Sequence, residues 1–246
     1  MKLTVYITPG IGKTTCEDTT FFEQSLHSEQ SWKTEVQEFR CIGVADGVGG
    51  NPGGRYASRY VSSQIIHHDF SEADQNGVTS FFQGLHEQLI GHALLVPGHE
   101  KMATTLSCVV AASDGYYLIQ AGNTRLWILQ GGYLKQLSHD HTVRQFYLDH
   151  NDPEKAAICN PNAIYCCLGG GRMELANGLS VTKMPWDALP EVLVLTSDGI
   201  HEFLDVDQME TILSQSESDE EAIKAMTAIA LENGSRDDKT VMILRQ

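Results

Sequence analysis

Short apolar runs alternate along the chain with breaks rich in Gly, Asp and Asn, and the runs carry two periods. Leu3, Val5 and Ile7 share one face of a run that ends at Pro9-Gly10, which predicts a strand over 3–8. A second strand-like piece covers 19–22, and the polar stretch 23–38 reads as a hairpin connection. It leads into Arg40-Cys-Ile-Gly-Val-Ala, an apolar run that stops at Asp46 and turns through Gly47, Gly49 and Gly50. Then the spacing changes. Tyr56, Ala57, Tyr60, Val61, Gln64, Ile65 and His68 recur at the helical period and predict an amphipathic helix over 54–70. A second helix is predicted over 78–95.

The strand period returns after Met102-Ala-Thr-Thr105. Runs at 106–112 and 116–121 flank Ser113-Asp114-Gly115, which signals a hairpin. Another strand over 126–130 reaches a further hairpin turn at Gly131-Gly132. The stretch 138–171 is irregular apart from a short helix over 142–148. The most apolar strand, 192–196, ends in Ser197-Asp198-Gly199, and a helix over 217–232 carries acidic residues in its first turn, where the helix dipole favours them. Ser235-Arg-Asp237-Asp238-Lys-Thr240 introduces a last strand over 241–244. With no internal repeat, linker or low-complexity tract, residues 1–246 read as one domain. Many short strands, hairpin turns and two long helices together predict two packed sheets with helices outside.

Composition narrows the partners. A net charge of −15, from 17 basic and 32 acidic residues, argues against nucleic acid or an anionic membrane surface, which need a basic face. No apolar run is long enough to cross a bilayer, and the N-terminal stretch lacks a signal peptide's apolar core. The six cysteines show no zinc-like pairing and fit reduced core or turn positions. A cytoplasmic setting is therefore expected.

The placement of particular carboxylates says more than their number. Asp46, Asp198 and Asp237 each stand at the end or start of an apolar strand, and Glu17-Asp18 precedes another, four and five residues after Lys13. Singly, each is an ordinary turn residue. If these strands are central in their sheets, their ends converge, and close carboxylates repel unless cations intervene. Two divalent ions about 3.5–4 Å apart would relieve that repulsion and build a two-metal hydrolytic site. Carboxylate and backbone oxygen suit hard cations. The histidines have no metal-ligand spacing with a carboxylate partner, and Ser197 lacks the setting of a catalytic triad.

In order, Lys13-x-x-x-Glu17-Asp18, Asp46-Gly-Val-Gly-Gly50, Met102-Ala-Thr-Thr105, Gly122-Asn-Thr-Arg125, Ser197-Asp198-Gly199 and Ser235-Arg-Asp237-Asp238-Lys-Thr240 follow one another. The chain thereby resembles, nearly end to end, the type 2C metal-dependent Ser/Thr protein phosphatases, the bacterial single-domain members in particular. The resemblance implies an α+β fold, a four-layer α-β-β-α sandwich of two mainly antiparallel sheets flanked by helix pairs. It implies two Mn²⁺ or Mg²⁺ ions in a cleft at one end. Asp46 would bridge both ions and the Gly47 carbonyl would bind one. Asp198 and Asp237 would bind the other, so that catalysis rests on Asp46, Asp198 and Asp237. Glu17 and Asp18 would act through metal-bound waters, and a bridging hydroxide would attack phosphoserine or phosphothreonine without a phosphoenzyme. The irregular 138–171 stretch corresponds to the family's flap beside the cleft. Partners would be phosphorylated proteins, in opposition to a Ser/Thr kinase.

Three positions depart from the family pattern. Lys13 stands where arginine grips the substrate phosphate, and a lysine keeps the charge but loses the bidentate fork. Neutral Asn123 replaces an aspartate that helps hold a third, weaker metal, which puts a third ion in doubt; Glu202 offers partial compensation. Asp238 replaces an asparagine and adds negative charge. Lys13 and Asn123 motivate a second reading, a phosphatase-fold module that binds phosphoproteins but hydrolyses them weakly. The retained Asp46, Asp198 and Asp237 weigh against it, and the acidic charge weighs against a two-metal nuclease.

Overall fold

A run that is apolar at every position marks a strand covered on both faces, because successive side chains point to opposite sides. The computed structural model describes residues 1–50, 52–171 and 178–246. Its elements begin with β1 (Lys2–Thr8), β2 (Thr19–Phe22), β3 (Ser25–His27), β4 (Trp32–Glu35) and β5 (Cys41–Ala45), followed by α1 (Gly54–His67) and α2 (Gln75–Ala93). Next come β6 (Ala103–Thr104), β7 (Leu106–Ala112), β8 (Gly115–Ala121), β9 (Arg125–Gln130), β10 (Tyr133–Gln136), α3 (Val143–Asp149) and α4 (Pro153–Ile158). The chain continues through β11 (Leu168–Gly169), β12 (Ser180–Met184), β13 (Val192–Thr196), α5 (Asp198–His201), α6 (Val206–Gln215), α7 (Asp219–Glu232) and β14 (Lys239–Arg245).

Among the described residues the strands form two six-stranded sheets, ordered β10-β9-β13-β14-β1-β4 and β12-β8-β7-β5-β2-β3, with β6 and β11 in a small ladder of their own. The pairings between neighbouring strands are antiparallel. Alternation along each strand then builds the layers. In β13, Leu193 and Leu195 face the partner sheet while Val192 and Val194 face α5, α6 and α7. In β5, Ile42 and Val44 face the partner sheet while Cys41 and Ala45 meet α1 and α2. The result is three apolar layers between four structural ones, α1/α2, sheet, sheet and α6/α7, so the expected α-β-β-α sandwich is present. Each fully buried Leu, Ile or Val contributes roughly 1.5–3 kcal/mol of transfer free energy, which makes the middle layer the main reason the sheets stay together.

The structure adds several elements to the sequence reading, β12 and α5 among them. The stretch 23–38 is more than a hairpin connection: β3 does pair with β2, but β4 crosses to the other sheet and forms its edge beside β1. Helix α6 also stands where no helix was expected. Asp205 and Gln208 form a reciprocal capping box at its start, and Met209 and Leu213 are its buried positions. The irregular 138–171 stretch holds the expected short helix as α3, then α4 and β11.

Candidate active site

Register brings the predicted carboxylates to one end of the sandwich. Thr19 pairs with Ala45, so Asp18, just before β2, sits beside Asp46, just after β5. Thr196 pairs with both Val241 and Arg125, which sets Asp198 between the turn before β14 and the turn before β9. Asp46, Gly47, Asp198 and Asp237 line one recess of about 180 Å³, with Thr105, Asn123 and Asn162 in its wall. Glu17, Asp18 and Lys13 stand behind and beside it.

Local bonds hold these ends in place. The Asp46 carbonyl accepts from Thr105 N at 2.7 Å and Thr104 Oγ1 at 2.9 Å, and Gly47 N donates to the Glu17 carbonyl at 3.2 Å. A Cβ on Gly47 would lie 2.3 Å from the Gly54 backbone, so only glycine lets the β5 turn and the start of α1 approach this closely. Gly199 is tighter still: a Cβ there would meet the Asp238 carbonyl at 1.9 Å. Ser197 Oγ accepts from Thr240 N at 3.0 Å, a structural bond that ties β13 to β14 and gives this serine no nucleophilic role.

The carboxylates differ in what satisfies them. Asp18 is fully buried; its Oδ2 accepts from Thr240 Oγ1 at 2.6 Å, while Oδ1 has no partner among the described residues. Asp46 touches both Asp18 and Asp198, and burial followed by repulsion from Asp18 pushes its carboxyl well above the ordinary range. Asp18 is pushed up by burial and then by Asp238. Asp198 is raised by burial and Asp237, against a hydrogen bond from Asn123 Nδ2 to its Oδ2 at 3.1 Å. Glu202 rises to about 7 through burial and the charge of Asp198.

An array of oxygen donors that repel one another, one of them buried and unpartnered, fits hard divalent cations. As the side chains stand, no three His, Cys, Asp or Glu groups among the described residues close around a single point. Part of the reason is Lys13. Its Nζ lies 2.6 Å from Asp237 Oδ1, 3.1 Å from Asp238 Oδ2 and 3.5 Å from Glu17 Oε2, so an ammonium holds this corner of the cluster. Burial disfavours that ammonium, but Asp237 and then Asp238 outweigh it and hold its pKa well above the lysine norm. Asn123 donates to Asp198 and offers no carboxylate of its own.

Sequence reasoning missed how Asp238, Thr240 and Asn162 serve the site. Asp238 Oδ1 accepts from Gly10 N and Oδ2 from Glu17 N, both at 2.7 Å, which clamps the loop before β2 against the turn before β14. Thr240 holds Asp18, and Asn162 borders the recess from the 138–171 stretch. For Asp238 and Thr240 the signal was the S-R-D-D-K-T motif, which names residues but not partners; Asn162 lies in the irregular stretch and had no motif to mark it. His201, unassigned from sequence, is buried with Nδ1 2.8 Å from Thr196 Oγ1.

The sequence pattern of the protein phosphatase 2C family matches residues 13–234. The chain belongs to that family. A putative protein phosphatase of Mycoplasma genitalium is 24% identical to it over 226 residues, covering 82% of this chain and 83% of that protein. The phosphatase PstP of Mycobacterium tuberculosis is 26% identical over 218 residues, covering 83% of this chain but only 40% of PstP, so the chain spans about two fifths of that relative. Serine/threonine phosphatase Stp1 of Staphylococcus aureus superposes with a TM-score of 0.79 at 18% identity, covering 99% of this chain and 94% of Stp1. The catalytic domain of PstP, solved with two manganese ions, superposes with a TM-score of 0.73 at 23% identity, covering 98% and 97% of the two chains.

Proposed function

We propose that this member of the protein phosphatase 2C family is a metal-dependent serine/threonine protein phosphatase that takes two Mn²⁺ or Mg²⁺ ions. The observation that carries this reading is the meeting of Asp18, Asp46, Asp198 and Asp237 from four separate strand ends, a repulsive arrangement without cations. Asp46, with Asp18 on one side and Asp198 on the other, would be the central carboxylate holding the ions. Gly47 through its carbonyl, Asp198 and Asp237 would complete the donor set in the recess, and Glu17 and Asp18 would act from behind it. Such ions neutralise phosphate charge and activate water. The chain's own part is to fix the donors, hold water and phosphoester in line, and supply Lys13 at the rim as the cation for a phosphate oxygen.

The substrates in this reading are phosphoserine and phosphothreonine in proteins, installed by an opposing Ser/Thr kinase in the cytoplasm. All of 1–246 acts as one catalytic domain, with 138–171 as its flap. No helix among the described residues is long and apolar enough to cross a membrane. The test is release of phosphate from a phosphothreonine peptide with Mn²⁺ and with EDTA, with Asp198→Asn alongside. Mn²⁺-dependent release that falls at least about a hundredfold in the variant is expected, the scale on which metal-site partners act. Release that ignores EDTA, or an undiminished variant, sinks the assignment.

A further inference from the structure

Beside the recess lies a second hollow of about 470 Å³, and Asn162 forms part of the wall of both. Its charged groups are Arg125, Asp140, Arg144 and Glu202. Most of that charge is matched internally. Arg125 Nε reaches both Asp140 oxygens at 3.0 Å and Nη2 reaches Oδ2 at 2.6 Å, a bidentate pair that Gln136 Nε2 reinforces at 2.9 Å. The Asn162 amide, turned so that its nitrogen meets the carboxylate, donates to both Glu202 oxygens at 3.2 Å. Arg144 is different. It is exposed, and its side chain makes no hydrogen bond or ion pair with another described residue.

The base of Arg144 is held in register with the recess. Thr142 Oγ1 caps α3 by accepting from Gln145 N at 3.1 Å, and Thr142 bridges Ile164 in antiparallel register. Val143 N donates to the Ala163 carbonyl at 2.7 Å and Tyr165 N to the His141 carbonyl at 2.9 Å. The same 162–164 segment borders the recess through Asn162 and Ile164. A guanidinium is thus stationed one wall away from the recess. An acidic protein repels anionic substrates over most of its surface, and Lys13 already serves three carboxylates.

We propose that Arg144, beside Gln145 at the rim of this hollow, forms a subsite for a second anionic group of the substrate, a carboxylate or a further phosphate on a residue near the one being dephosphorylated. The proposal rests on the phosphatase reading and deepens it. Arginine's planar fork matches both oxyanions, and a solvent-open ion pair of this kind is worth about two- to fivefold in kcat/KM, mostly through KM. The preference weakens at high salt, because the pair is open to solvent.

The experiment compares a neutral-flanked phosphothreonine peptide with peptides carrying Glu at successive positions on either side, and with a doubly phosphorylated one. Wild type, Arg144→Ala, Arg144→Glu and Arg144→Lys are assayed with Mn²⁺, and p-nitrophenyl phosphate reports on the recess alone. Wild type should favour an acidic peptide at a definite position; Arg144→Ala should erase the ratio, Arg144→Glu invert it and Arg144→Lys keep part of it. A gain with Glu and with phosphate identifies a general anion subsite, and a gain with phosphate alone identifies a phosphate subsite. Equal turnover of acidic and neutral peptides by wild type, or a preference that survives Arg144→Ala, overturns the subsite. Failure to hydrolyse p-nitrophenyl phosphate and every peptide overturns the phosphatase reading itself, and the subsite with it.

Discussion

Asp18 is costly to the metal-free fold and, on the proposed mechanism, serves the metal-bound one. It is fully buried, one oxygen is bonded to Thr240, and the other has no partner among the described residues. Asp18→Asn removes a buried charge from a repulsive cluster while keeping the shape. In EDTA the variant should therefore unfold at a higher temperature than wild type, by an amount worth about 1–3 kcal/mol. With Mn²⁺ the order should reverse, since wild type gains the ions and the variant gains less. Thermal unfolding in the two buffers reads both effects, and an Asn variant that gains as much from Mn²⁺ as wild type would remove Asp18 from the site. Asp18, Asp46, Asp198 and Asp237 were legible in the sequence because each interrupts or borders an apolar run. Asp238, Thr240 and Arg144 were not, because their roles depend on which distant strand or segment lies beside them.

At the scale of elements, turns do the positioning. Gly199 lets the β13-to-α5 turn press against the Asp238 carbonyl, and a Cβ there has 1.9 Å of space. Gly199→Ala must push the 237–238 turn away, at a cost of about 1–3 kcal/mol for overpacking, and should weaken Mn²⁺ binding with it. Calorimetric titration and denaturant unfolding test the two halves; a variant with normal stability and normal binding would show that the turn is compliant. The central strands were readable because full burial demands apolar residues throughout. Edge strand β4, Trp-Lys-Thr-Glu, is half exposed and polar, so nothing in its composition marked the crossing between sheets. Helix α6 was hidden by a narrow apolar stripe, with Met209 and Leu213 as its buried positions.

For the whole molecule, charge and pH are linked through the site. Asp18, Asp46 and Asp198 have raised carboxyls, and Glu202 titrates near 7. In the unfolded chain such groups titrate near about 4. The metal-free fold therefore holds protons that the unfolded chain releases. Its stability from these groups is full below about pH 4 and is lost as pH rises through the raised values towards 7. In EDTA, thermal stability should decline between pH 5.5 and 8. Mn²⁺, which competes with those protons, should raise the unfolding temperature more at pH 8 than at pH 5.5. A metal-induced rise that is larger at the lower pH would contradict this linkage.

The clamp formed by Asp238 also sets a timetable. Strand β14 lies between β13 and β1; Asp237 and Asp238 just before it and Thr240 near its start join a cluster whose other half begins at Lys13. During synthesis the early segment has to wait, unpaired at that edge, until residues 237–245 leave the ribosome. Contacts this distant in sequence form late and slowly. Chains stalled before Asp237 should accordingly show no protection from protease by Mn²⁺, whereas released chains should. On the proposed reading the cation site is therefore completed in one step, when β14 slides in between β13 and β1.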